Sequence, residues 1–130
     1  MSRLSRATAL KIAAGLSLTS GIFGLITSIP PLWLGAAAIN QAGDTAPYFV
    51  YVLDLILAPI HIIGAFGAWR NQRWGIVLLL LAAAVDAVSA APGILFAPSP
   101  SMRLLAAVGT LFNVVMIILC LWRDRPATAL

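Results

Sequence analysis

The 130-residue chain has few of the side chains on which catalysis and metal binding usually depend. It contains one cysteine, Cys120, one histidine, His61, and no glutamate. A single cysteine excludes an internal disulfide, and without a Cys/His cluster a zinc site of the usual kind is excluded as well. Glycine-rich phosphate loops and GxSxG elbows are also missing, which excludes the common nucleotide-binding and hydrolase motifs.

Charge is scarce and apolar surface is abundant. Charged residues make up 9% of the chain and hydrophobic residues 62%, with a mean hydropathy of +1.01, whereas soluble domains carry roughly a quarter charged residues. The composition therefore predicts that the chain's partner is the lipid bilayer. The net charge of +4 does not indicate nucleic-acid binding, because the basic residues lie at the ends of apolar runs and form no basic face.

Four apolar segments reach the ~20 residues that a helix needs to cross ~30 Å of hydrocarbon. They cover residues 10–29, 48–69, 74–96 and 104–122, and the first is expected to close at Pro30 and Pro31. The connections are short and contain helix-breaking residues. The sequence therefore predicts an all-α integral membrane four-helix bundle, with residues 1–130 forming a single transmembrane domain.

The basic residues predict the orientation of this bundle. Seven of the eight Lys and Arg residues fall on one side of the predicted spans: Arg3, Arg6, Lys11, Arg70, Arg73, Arg123 and Arg125. Only Arg103 falls on the other side. The positive-inside rule then predicts a multi-pass protein of the cell membrane with both termini in the cytoplasm.

One alternative changes the number of spans. The basic start, the apolar run and the small residues 35–38 are also typical of a signal peptide with its cleavage site. Cleavage there would leave three spans. The apolar run is longer than the usual signal-peptide core, which favours four.

Polar residues inside the spans mark the candidate site. At ~1.5 Å of rise per residue, Asp54 lies about 9 Å and His61 about 20 Å from the outer end of the second span, on one helix face. Asp86 lies about 18 Å from the inner end of the third span, and Asn113 about 14 Å from the outer end of the fourth. A central Asp costs ~2.5–3.5 kcal/mol in a bilayer, so these groups should face other helices. They predict a ligand or proton site, with Asp86 as the partner of His61.

Further polar residues could support that site. Ser20, Ser89 and Thr110 lie on the small or polar side of their spans, and these sides should meet at the bundle axis. The structural alternative is that all of these residues only hold the helices together by hydrogen bonds across the bundle.

The favoured function is binding or transport of a small lipophilic or cationic ligand, coupled to protonation of Asp and His. The chain is similar in length and number of spans to the small multidrug transporters. That resemblance implies an essential Glu in the first span, which this chain lacks, so it extends to the layout alone.

Two other classes stay open. The polar residues could serve a small membrane enzyme of the isomerase or cyclase type on a lipid-like substrate, although no spacing assigns a catalytic residue. The chain could instead be a non-catalytic subunit of a homo- or hetero-oligomer. In that class "HIIGAFGAWR" resembles haem-anchoring spans, with His61 as an axial ligand. No other cofactor and no metal is predicted.

Overall fold

A computed structural model describes residues 3–42 and 46–124. Within those ranges the chain forms five helices and no strand. The helices are α1 (Arg6–Leu34), α2 (Ala36–Ala42), α3 (Tyr48–Trp69), α4 (Arg73–Phe96) and α5 (Pro100–Cys120). All except α2 are long and apolar enough to cross a membrane. The predicted all-α four-helix class is confirmed, and the four long helices are compatible with a multi-pass membrane protein.

The ends of α3 and α4 agree with the predicted spans to within one residue, but α1 does not. The helix continues through Pro30 and Pro31 to Leu34, so the predicted end was wrong. The fixed φ of proline is compatible with a helix, so the pair removes hydrogen bonds without ending it. The helix ends at Gly35, whose φ of 91° is accessible to glycine at no steric cost.

The fourth span and the first connection also differ from prediction. The fourth long helix, α5, begins at Pro100, before the predicted Leu104, because Ser99 caps it by accepting a hydrogen bond from the Met102 N–H at 3.3 Å. Proline fits the first helical position, which needs no N–H. The same helix stops before the predicted end at Trp122. The short helix α2 was not predicted.

The two ends of the described chain meet. The Trp122 indole donates to the Leu4 carbonyl at 3.0 Å, and the Arg6 guanidinium donates to the Trp122 carbonyl at 2.5 Å. The Arg6 backbone N–H also donates to Asp124 Oδ1 at 2.8 Å. These three hydrogen bonds, here called the terminal clasp, join the start of α1 to the segment after α5.

The clasp shares one end of the bundle with the turn between α3 and α4. The Lys11 ammonium, one turn beyond the clasp, lies 5.5 Å from the centroid of the Trp69 ring at the end of α3. This end carries Arg6, Lys11, Arg70 and Arg73 and is called the basic end. The opposite end, where α1 leads into α2 and α4 into α5, is called the far end.

Buried residues concentrate in the half of the bundle next to the basic end. On α4 they lie between Gly75 and Ala83, and on α5 between Asn113 and Cys120. Packing there is tight: a Cβ added at Gly75 would lie 2.4 Å from the backbone of Gly67. In this half α3 and α4 therefore meet backbone to backbone.

The far half is packed differently. Toward the far end α1 and α3 still bury Gly21, Ser28 and Ala58, but no residue of α4 beyond Ala83 is buried. On α5 nothing before Asn113 is buried. The pair α1/α3 therefore separates from the pair α4/α5 toward the far end. The space between them is here called the far-end gap.

Candidate functional site

His61 is held from both sides of its ring. The residue is 2% exposed, and its Nδ1 atom lies 2.9 Å from Ser17 Oγ of α1. Its Nε2 atom lies 2.6 Å from Asp86 Oδ2 of α4. The structure thus pairs His61 with Asp86, the partner that the sequence predicted. Three helices contribute to one chain of hydrogen bonds.

Asn113 of α5 lies at the same level. A Cβ added at Gly93 of α4 would lie 3.0 Å from the Cβ of Ala106 of α5, which places these two residues side by side. Asp86 comes seven residues before Gly93, and Asn113 comes seven residues after Ala106. Because α4 and α5 are antiparallel, Asp86 and Asn113 therefore lie at the same level. Ser17, His61, Asp86 and Asn113 therefore form one layer with a residue from each long helix, here called the polar layer.

The hydrogen bonds in this layer constrain its protons. Ser17 Oγ also lies 2.9 Å from the His61 carbonyl oxygen, which can only accept, so the hydroxyl donates there. Nδ1 of His61 must then donate to Ser17 Oγ. The bond between Nε2 and Asp86 holds a single proton, shared between an imidazole and a carboxylate. The His61–Asp86 pair as a whole is electrically neutral.

One oxygen of the polar layer has no partner among the described residues. Asn113 Nδ2 donates to the Gly109 carbonyl at 2.9 Å. This bond fixes the orientation of the amide, because two oxygens would repel each other in the flipped arrangement. Asn113 is 6% exposed, and its Oδ1 is buried without a hydrogen bond from any described residue. A buried acceptor of this kind is rare in native proteins.

Asp54 lies outside the layer, two helical turns closer to the far end than His61. It is half-buried, and none of the described residues donates a hydrogen bond to its carboxyl group. Small residues lie beside it, since a Cβ added at Gly24 of α1 would lie 3.8 Å from the Asp54 carbonyl oxygen.

The layer is reached from the far end. The Asp86 side chain is 18% exposed, whereas Ser17 is fully buried. Gly109 lies one turn from Asn113 on the same face of α5, and a Cβ added there would meet nothing within 4 Å. The far-end gap therefore extends to Asp86, and the buried Asn113 lies at the same level. A separate apolar groove of about 350 Å³ on α4, lined by Ala84, Val85, Val88 and Ser89, includes none of these residues.

Ser20, Ser89 and Thr110 were predicted to support the site, but their hydroxyls do not bond to the polar layer. The Ser89 and Thr110 hydroxyls donate to their own helices, to the Val85 carbonyl at 2.8 Å and the Ala106 carbonyl at 2.7 Å. Ser20 makes no hydrogen bond with its side chain in the described ranges. The structure does not bring these hydroxyls into the hydrogen-bonded chain of the polar layer.

Sequence reasoning did not select Ser17. The signal was its position on the stripe of small residues along α1, four residues before Gly21 and seven before Gly24, which faces α3. Ser28 continues that stripe, and its hydroxyl is also buried without a partner among the described residues.

The geometry bears on metal and haem chemistry. Among the described residues no group of three or more His, Cys, Asp or Glu could hold a metal ion. Both ring nitrogens of His61 already have partners, so an axial bond to haem iron would require the loss of one. The Cys120 thiol is buried in the core near the basic end.

The fold and the layer define a helical bundle whose four long helices meet at one buried polar level. Compared with known proteins, the chain matches no protein-family model, no curated protein and no solved structure.

Proposed function

We propose that the protein binds a small lipophilic cation in the far-end gap and exchanges a proton at the His61–Asp86 pair. The observation that carries this proposal is the position of the Asp86 carboxyl group. One oxygen of its carboxyl group is bonded to His61, and the side chain is still partly open to the gap. A cation in the gap would find a carboxyl group that is already held in position.

The charges around the gap favour a cation. The His61–Asp86 pair is neutral, and no described basic side chain pairs with Asp54. On α1 no charged residue follows Lys11, and on α5 none lies between Arg103 and the end of the helix. A positive ligand would supply the missing counter-charge, as ionisable groups within membrane helices require.

The walls of the gap favour a lipophilic body. Toward the far end, α4 and α5 carry small apolar residues on the helix faces of Asp86 and Asn113, including Ala90, Ala106 and Gly109. Ligand sites are typically apolar, with a few convergent polar groups that fix orientation. Here the polar groups lie at the base of the gap and the apolar groups along its sides.

The proposed proton exchange involves the proton in the hydrogen bond between His61 and Asp86. A cation next to Asp86 stabilises the carboxylate and favours release of the proton held between Asp86 and His61. The titratable groups at or near this position are Asp54, His61 and Asp86, while α1 and α5 contribute the neutral Ser17 and Asn113. Binding should therefore release a proton and become tighter as the pH rises.

Tetraphenylphosphonium, which is permanently charged, tests this proposal in purified protein in nanodiscs. We expect Asp86→Asn to weaken binding at least about tenfold and to reduce the dependence of Kd on pH, because the amide cannot exchange a proton. Asp124→Asn, which alters an acid at the basic end, is the matched control and should bind as the wild type does. Equal binding by the wild type and Asp86→Asn would contradict the proposal.

A further inference from the structure

We infer that the cation recognised in the far-end gap is a primary or secondary ammonium, bound through its N–H groups to Asn113 Oδ1 and to the free carboxyl oxygen of Asp86. This inference rests on the proposed function and specifies its ligand. It starts from the buried Asn113 oxygen, which has no partner among the described residues.

Two hydrogen-bond acceptors at the base of the gap lack donors. Asn113 Oδ1 has none, and the Asp86 oxygen that does not bind His61 has none among the described residues. The Asn113 amide nitrogen is directed at the Gly109 carbonyl and cannot donate to the oxygen of its own amide. These two oxygens therefore require N–H or O–H donors from outside the described chain.

The position of these acceptors favours a ligand over a structural partner. Asp86 and Asn113 lie at one level on neighbouring helices, and the open space beside Gly109 adjoins that level. Two donors on one nitrogen atom could therefore satisfy both oxygens. A desolvated acceptor left alone costs free energy, so a ligand that supplies the donor recovers that cost on binding.

Other cations fit less well. A quaternary ammonium or a phosphonium carries positive charge but no N–H, so it would leave Asn113 Oδ1 without a partner. A hard metal ion such as Ca²⁺ takes about six to eight oxygen ligands, more than these side chains supply. A protonated amine provides both the charge and the donors.

Hexylammonium and hexyltrimethylammonium form a matched pair of probes, with the same alkyl chain and charge. At pH 7 we expect hexylammonium to displace tetraphenylphosphonium from the wild type at about tenfold lower concentration, equivalent to about 1.4 kcal/mol. The three extra methyl groups of the quaternary probe add apolar surface, which works against this expectation and makes the comparison stringent.

Substitution of Asn113 tests whether the preference for hexylammonium over hexyltrimethylammonium depends on this residue. In Asn113→Leu hexylammonium should lose its advantage, so that the two probes displace tetraphenylphosphonium at equal concentrations. Asn113→Asp, which keeps an acceptor oxygen, should retain the preference. If Asn113→Leu fails to fold, the wild-type comparison of the two probes decides alone.

The two proposals fail in different ways. Equal binding of both probes by the wild type, with binding still lost in Asp86→Asn, would overturn the role of Asn113 and leave the cation site standing. If neither probe nor tetraphenylphosphonium binds, the proposed function itself is overturned. Displacement by Na⁺ at concentrations that compete with hexylammonium would also overturn the inference, because Na⁺ has no N–H.

Discussion

Ser17 shows how a small polar side chain can organise a buried histidine. Its hydroxyl donates to the backbone carbonyl of His61 and accepts from the ring of the same residue. The ring is thereby fixed with Nδ1 protonated and Nε2 directed at Asp86. A neutral hydroxyl of α1 thus determines which proton the His61–Asp86 pair can exchange.

Ser17→Ala should destabilise the fold by about 1–3 kcal/mol, because it leaves the buried Nδ1–H group of His61 without its acceptor. Thr19→Val is the matched control. The Thr19 hydroxyl is exposed and donates to the Gly15 carbonyl of its own helix, at 2.9 Å. The free energies of unfolding of both variants in detergent micelles provide the measurement. A similar loss in both variants would show that Ser17 does not support the ring.

The pairing of His61 with Asp86 could be predicted from sequence, because two ionisable groups at similar depth in neighbouring spans have few other partners. The role of Ser17 could not. A hydroxyl in a helix can be satisfied by a carbonyl of its own helix, as Thr19, Thr27 and Ser89 are. Only the packing of α1 on α3 distinguishes Ser17 from these residues.

Among the helices, α3 and α4 make the closest approach. Gly67 and Gly75 bring their backbones together next to the turn that joins them, where no other side chain would fit. Small residues at helix contacts are the usual means of close packing in membrane bundles. The contact holds the two helices together at the basic end, and Asp86 projects from α4 toward His61 three turns further along.

Gly75→Ala tests this contact. The added methyl group would overlap the Gly67 backbone and should cost about 1–3 kcal/mol of unfolding free energy, the usual range for overpacking. The control is Gly15→Ala, because a Cβ at Gly15 meets nothing within 4 Å. That variant should be neutral or gain up to about 1 kcal/mol, since alanine favours a helix. Equal thermal stability of the two variants would rule out the close approach.

The extents of the helices were predictable where hydrophobicity alone sets them, as in α3 and α4. The helix ends were not predictable where a capping residue sets them. The start of α5 depends on Ser99 and Pro100, and the end of α1 depends on Gly35 rather than on the proline pair before it. The short helix α2 lies between polar and apolar stretches and has no strong period.

For the whole molecule, the main property is the uneven packing of its two halves. All four long helices are closely packed near the basic end, and two pairs separate toward the far end. The sequence could not predict this difference, because lipid-facing and helix-facing surfaces are equally apolar in a membrane bundle. It did predict that His61 and Asp86 lie at one level, since helical rise alone sets their positions along α3 and α4.

The distribution of basic residues predicts which side of the membrane each end faces. We expect the basic end in the cytoplasm and the far-end gap open to the outside. In a Cys120→Ala background, a membrane-impermeant maleimide should label Pro98→Cys in intact cells. It should label Gln72→Cys only after permeabilisation. Both positions are exposed, so access depends on sidedness alone. The opposite labelling pattern would place the gap on the cytoplasmic side.

The terminal clasp has a consequence for the chain as a polymer. Leu4 and Trp122 are far apart in sequence, and a hydrogen bond of 3.0 Å joins them. A peptide link between these two segments would thus close a ring without distorting the helices. Such a ring restricts mainly the unfolded chain, whose entropy falls when its ends are joined. The folded chain therefore already holds its two end segments together, as a cyclised backbone would.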